Sequence, residues 1–105
     1  MGAAARKMRD APSLTIDYDQ PVDVLMVVAG DRVPVEGNGL PGGVELDYSI
    51  ESGLPCGAKV IGFRKYGWAD HIPCLSAVIA VHLGIDTDYV TAAIESRMSR
   101  EIVHE

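Results

Sequence analysis

Residues 44–66 read VELDYSIESGLPCGAKVIGFRKY, and this stretch decides the fold class. Apolar and polar side chains alternate strictly over residues 44–50, which is the pattern of a strand with one buried face. A turn containing glycine and proline follows, and residues 58–66 are predicted to form a partner strand. The stretch therefore predicts an antiparallel strand pair.

The residues before this pair predict further strands. Residues 13–18 alternate in the same way, and residues 22–28 form a β-branched run that indicates a strand buried on both faces. Residues 33–35 predict a short antiparallel return, which Pro34 restricts to a sheet edge because proline cannot donate to a strand ladder. Residues 37–43 hold four glycines, and we interpret them as a flexible connector rather than a phosphate-binding loop.

The residues after position 67 predict two helices. Pro73 suits the first turn of a helix over residues 75–83, and Gly84 ends it. Asp86 or Thr87 can cap a second helix. Its apolar stripe has a period of 3.6 residues and comprises Val90, Ala93, Ile94, Met98 and Ile102.

Strands come first and helices last, so the predicted class is α+β. We expect an antiparallel sheet of about four to five strands within residues 13–66, covered by an αα-hairpin at residues 73–103. Residues 1–12 are predicted to be a flexible tail before a single domain at 13–105. We expect the helices to pack on a sheet face that contains Val44, Leu46, Ile61 and Phe63.

Composition excludes several classes of protein. The chain has 105 residues, of which 48% are hydrophobic, and a net charge of −6, which disfavours binding to a phosphate backbone. No apolar run approaches the roughly 20 residues that span a bilayer, so we expect no membrane association. Two cysteines and no export signal predict a cytoplasmic protein with reduced thiols.

The helical region also has the spacing of a helix-turn-helix motif, carried by residues 80–86 with Val90 and Ala93. The second helix, however, opens with Asp86 and Asp88, which would repel phosphate. We therefore interpret the unit as an αα-hairpin that covers a sheet, and we predict no specific binding to duplex DNA or to other nucleic acid.

The loop between the last strand and the first helix is a candidate ligand-binding site. Tyr66, Trp68, Asp70 and His71 lie close together in sequence, where a rigid scaffold can position them. An aspartate beside a histidine can orient the imidazole for acid–base chemistry, so a small enzyme using Asp70 and His71 is one alternative. In the other alternative, Trp68 fills the gap between sheet and helices while Asp70 caps the helix.

Cys56, His71 and Cys74 are candidate metal ligands, since thiolate and imidazole suit zinc or an iron–sulfur cluster. The alternative is that both cysteines are free thiols without a metal. A strand over residues 58–66 would separate Cys56 from Cys74, which disfavours a disulfide or a shared site within one chain.

The order of elements over residues 44–98 resembles that of TSCPD-type domains, which accompany some ribonucleotide reductases, and the core of NifU-type iron–sulfur scaffold proteins. Residues 60–67, 72–74 and 83–86, followed by Val90, carry the resemblance. The chain has no Thr-Ser-Cys-Pro-Asp string, and residues 68–71 replace the cysteine pattern that scaffold proteins have before the helix. Residues 55–57, Pro-Cys-Gly, are similar to the first cysteine loop of those scaffolds.

The leading hypothesis is a small non-enzymatic accessory or interaction module that acts through a protein partner or as a homo-oligomer. The predicted edge strand at residues 33–35 and the apolar helical hairpin offer association surfaces. A metal or iron–sulfur-binding module that uses Cys56, His71 and Cys74 is the alternative. A small enzyme is the third.

Overall fold

The structure, a computed structural model, describes residues 12–103, with side chains described for residues 12–100. The tail predicted for residues 1–12 therefore lies, apart from Pro12, outside the described part of the chain. The described residues form five strands and two helices, whose bounds are β1 Leu14–Asp19, β2 Val24–Ala29, β3 Val35–Gly39, β4 Val44–Ser49, β5 Pro55–Ile61, α1 Ile72–Leu83 and α2 Thr87–Val103.

The five strands form one sheet in the order β1-β2-β5-β4-β3, with every neighbouring pair antiparallel. Residues 30–34 connect β2 to β3, which is three positions away in the sheet; we refer to them as the 30–34 crossover. Both helices follow the sheet in sequence and contact each other. The predicted α+β class is confirmed.

Register assigns each strand residue to one of two faces. Leu25 lies opposite Val60, and Val27 lies opposite Ala58, so these side chains point to the same face. This inner face carries the helices: α2 packs on β1, and α1 packs on β5. The buried apolar side chains form one core, which comprises Ile16, Tyr18, Leu25, Val27, Val44, Ala58, Val60, Phe63, Leu75, Ile79, Ala80, Val90, Ile94 and Met98.

The helical hairpin has the predicted caps. Gly84 ends α1 in the left-handed conformation (φ 70°), and its N–H donates to the carbonyl oxygen of Ala80 at 2.8 Å. At the start of α2, the Asp86 carboxylate accepts a hydrogen bond from the N–H of Tyr89 at 3.2 Å. Helix α2 is the second helix of the unit that has helix-turn-helix spacing. Because α2 packs on β1, it contributes to the core.

The connector predicted for residues 37–43 is shorter than expected, since only residues 40–43 connect two strands. Its first three residues belong to edge strand β3, where Asn38 lies opposite Leu46. Glycine and asparagine disfavour strands, but pairing with β4 overrides that preference. A Cβ on Gly37 would overlap the end of the Glu45 side chain, which would then have to move aside. The expected return at residues 33–35 is also shifted, since the strand begins at Val35 and pairs with β4.

The strand predicted for residues 58–66 ends five residues earlier than expected, at Ile61. β5 runs from Pro55 to Ile61, and Gly62 then takes a left-handed conformation (φ 78°) that starts a turn. The turn returns Phe63 to the core. Ile61 belongs to the outer face and is 51% exposed, so its predicted place under the helices was wrong.

Within residues 12–103, no helix combines the length and apolar character needed to cross a bilayer.

Candidate functional site

The two helices leave part of the inner face uncovered. Leu46 and Tyr48 of β4 line a groove of about 620 Å³ that α1 bounds on one side. We call this the α1–β4 groove; its lining residues are Leu46, Tyr48, Pro55, Ala77, Val78, Val81 and His82. Val81 is 82% exposed although it lies on a helix that packs against the core. The groove is therefore a continuous apolar surface open to solvent.

A β-bulge fixes the polar end of this groove. Asp47 lies opposite Gly57 while Tyr48 lies opposite Pro55, so the strand register gives Cys56 no opposite residue on β4. The Cys56 thiol donates to the Asp47 carbonyl oxygen at 3.8 Å. The Asp47 carbonyl oxygen lies 3.0 Å from Nε2 of His82. Because a carbonyl only accepts, Nε2 must carry the proton and donate. The His82 ring also meets Tyr48 edge-to-face, with centroids 4.9 Å apart, and so ties α1 to β4.

The predicted ligand-binding loop is held by contacts within the chain. The Trp68 indole N–H donates to the Gly42 carbonyl oxygen at 2.8 Å, and the ring packs against the core. Tyr66 is exposed, and the Lys65 ammonium lies 5.6 Å from its ring centroid. Trp68 thus joins the loop to the β3–β4 connection, and a ligand-binding role for this loop stays a prediction.

Asp70 and His71 are exposed residues at the start of α1. Neither side chain hydrogen-bonds to another described residue, and helix α1 has no side-chain cap, so Asp70 does not cap it. The pairing that would orient the imidazole for acid–base chemistry is therefore not formed within the described part of the chain.

The candidate metal ligands are not brought together. Cys56 lies in the bulge of β5, and Cys74 is exposed in the first turn of α1. In residues 12–103, no group of three or more His, Cys, Asp or Glu side chains is arranged to hold a metal ion, and Cys56, His71 and Cys74 all fall within this range. Both thiols are free, as expected.

The two thiols should differ in reactivity with a thiol reagent such as a nitrobenzoate disulfide. Burial raises the pKa of the Cys56 thiol, and the Asp47 charge adds to the effect, so little reactive thiolate forms near neutral pH. We expect Cys74 to react fast and Cys56 slowly in the native protein, and two thiols to react at one rate in denaturant. Cys74→Ser should retain only the slow phase. Equal native rates would contradict the placement of Cys56.

A charged cluster on the outer face was not predicted. The Lys59 ammonium of β5 lies 2.9 Å from Oδ2 of Asp47 and 3.4 Å from Oε2 of Glu45, both on β4. Burial lowers the pKa of Lys59, but its bonds to the two carboxylates outweigh this effect, and the net change is upward. A hydrogen bond to Asp47 raises the pKa of Glu45, and burial adds to the increase.

The sequence feature that could have predicted this cluster is the pair of acids at positions 45 and 47, together with Lys59 on the partner strand. Acids at alternate positions are typical of the solvent-facing side of a strand. The structure instead buries Asp47, which is only 4% exposed.

Comparisons with known proteins give no relative for this chain. No protein-family model, no curated protein and no solved structure matches it. The resemblance to TSCPD-type and NifU-type domains stays a prediction.

Proposed function

We propose that this chain is a protein-interaction module that binds an amphipathic helix of a partner protein in the α1–β4 groove. The observation that carries the proposal is the open part of the inner face, where an apolar strand surface meets an exposed apolar side of α1. Amphipathic helices bind such grooves through apolar residues at i, i+3, i+4 and i+7.

The spacing of α1 and α2 across the sheet supports a helix as the ligand of the groove. Helix α2 packs on β1 and α1 packs on β5, and these strands are two positions apart in the sheet. Two strand spacings amount to about 10 Å, which is the diameter of a helix with its side chains. The same step from β5 reaches β3. A third helix parallel to α1 would therefore cover β4 and β3 and complete the layer.

Charge favours a basic partner over a second copy of this chain. Glu36 of β3 lies opposite Tyr48 and so belongs to the groove face of the sheet. A partner helix with Lys or Arg along that edge would meet this carboxylate. Two copies of this chain, each with a net charge of −6, would repel each other instead.

A synthetic amphipathic helix with a leucine stripe and a lysine edge tests the proposal by fluorescence anisotropy. We expect saturable binding to the wild-type protein and about 10- to 100-fold weaker binding to Val81→Lys, since burying one valine contributes about 1.5–3 kcal/mol. Val22→Lys is the matched control, because Val22 is 60% exposed in the β1–β2 connection, outside the groove lining. A glutamate-edged peptide should bind less well.

Two results would overturn this function. The first is that Val81→Lys binds the peptide as well as the wild-type protein does. The second comes from light scattering: a wild-type dimer that Val81→Lys converts to monomer would make a second copy the occupant of the groove.

A further inference from the structure

A pocket of about 190 Å³ lies between the outer face of the sheet and the 30–34 crossover. It is on the opposite side of the sheet from the α1–β4 groove and is independent of the function proposed above. Strands β2, β4 and β5 form the floor of the pocket. The crossover and the start of β3 form its wall. The lining comprises residues Met26, Val27, Val28, Asp31, Arg32, Val33, Val35, Asp47, Cys56, Gly57, Ala58 and Lys59.

The pocket contains a buried carboxylate with an unused oxygen. Asp47 is 4% exposed, and its Oδ2 is bound to the Lys59 ammonium at 2.9 Å. Its Oδ1 is fully buried and, when the neighbouring Glu45 carboxyl is ionised, accepts no hydrogen bond from residues 12–103. A buried acceptor without a donor destabilises the folded protein, and it does so more strongly when it is charged. A ligand that supplies a donor would remove this destabilisation.

The charges around Asp47 favour a cation as that donor. Asp47 and Glu45 share the single ammonium of Lys59, so with both carboxyls ionised the cluster keeps one negative charge. Arg32 also lines the pocket, but its guanidinium is paired with Asp17 at 2.7 Å. Asp31 adds a further negative group to the crossover wall.

The rest of the wall accepts an aliphatic group. Met26 and Val28 come from β2, Val33 comes from the crossover, and Val35 begins β3. A volume of about 190 Å³ equals roughly six water molecules at the density of liquid water. The pocket therefore suits a short ligand with one polar end and one apolar end.

We infer that this pocket binds a small organic ammonium ion, which donates an N–H to Oδ1 of Asp47 and places a short aliphatic body against Met26 and Val33. The size, the charge and the unused acceptor all point to this class. An anion would meet the Asp47 carboxylate, and a quaternary ammonium ion, which has no N–H, would leave Oδ1 without a donor.

Titration of the full chain by ¹H–¹⁵N NMR tests the inference, with n-butylammonium as the probe. We expect saturable shifts of the Gly57 and Lys59 amides, which belong to the β5 part of the pocket floor. Tetramethylammonium, which has no N–H, and n-butyrate, which has the opposite charge, should give weaker shifts at equal concentration. No shift with butylammonium, or equal shifts with all three ions, would overturn the assignment.

Asp47→Asn should weaken butylammonium binding by about 10-fold, because the ammonium N–H then meets a neutral acceptor in place of a charged one. Val33→Trp keeps Asp47 and fills the pocket from the exposed crossover, so it should also abolish binding even if Asp47→Asn fails to fold. Val22→Trp adds the same side chain outside the pocket and should bind normally. Unchanged binding in Val33→Trp would show that the ion binds elsewhere and refute the inference.

Discussion

Replacing Ile94 by alanine is expected to lower the free energy of unfolding by about 2–5 kcal/mol, the range for truncating a fully buried aliphatic side chain. Ile94 is 0% exposed on the buried side of α2, and the loss leaves a cavity between that helix and the sheet. For a domain of this size, the melting temperature should fall by roughly 4–8 °C for each kcal/mol. Urea denaturation and calorimetry measure both quantities.

Ile61→Ala is the matched control for this experiment. The chemical change is identical, but Ile61 is 51% exposed on the outer face, so we expect a change within about 0.5 kcal/mol. If the two variants lost equal stability, the assignment of the sheet faces at the end of β5 would be wrong.

Replacing Asp23 by alanine should lower the free energy of unfolding by about 2–3 kcal/mol through lost charge-assisted hydrogen bonds and an unfavourable backbone. The Asp23 carboxylate accepts hydrogen bonds from the Tyr18 hydroxyl at 2.7 Å and from the N–H groups of Arg64 and Lys65 at 2.9 and 3.0 Å. Asp23 is also the one non-glycine residue with a positive φ, 58°, in the described part of the chain. Asparagine tolerates this conformation, so Asp23→Asn should lose less than Asp23→Ala.

The effect should depend on pH. Burial raises the pKa of Asp23, but the hydrogen bonds from Arg64, Tyr18 and Lys65 outweigh it, so the folded-state pKa lies below its ordinary value. The stabilisation is therefore complete above the unfolded-state pKa of about 3.9 and is lost as the pH falls through the lower folded-state pKa. Urea titrations between pH 2 and 7 should show the difference between wild type and Asp23→Ala shrinking in acid.

Asp19→Ala serves as the control for the Asp23 series. Asp19 is exposed, and its side chain makes no hydrogen bond to another described residue. We expect a change within about 0.5 kcal/mol. A pH-independent loss in Asp23→Ala would mean that backbone conformation, rather than the carboxylate, accounts for the effect.

Sequence periodicity was sufficient to predict the elements that bury one regular face. The alternation at residues 44–50 predicted β4, and the 3.6-residue stripe containing Val90, Ile94 and Met98 predicted α2, because burial on one side imposes these periods. Gly84 marked the end of α1 for an equally local reason, since its left-handed conformation favours glycine.

The features that the sequence did not predict depend on contacts between segments that are far apart in the chain. Residues 35–39 have the composition of a loop and become a strand only because β4 offers a partner. Asp47 lines a pocket together with residues of the 30–34 crossover, and the path of the crossover depends on where β3 pairs. Asp23 likewise acts on residues about forty positions later in the chain, at Arg64 and Lys65.

The strand order also has a kinetic consequence. The β1–β2, β3–β4 and β4–β5 pairs each join consecutive strands, whereas the β2–β5 pair joins segments separated by two other strands. A hairpin and a three-stranded meander can therefore form early from local contacts, and we expect the β2–β5 seam between them to close later because it carries the larger loop entropy. Helix α1 packs on β5, α2 packs on β1, and the two helices contact each other. The helices therefore connect the two parts of the sheet across the seam and stabilise it once it has formed.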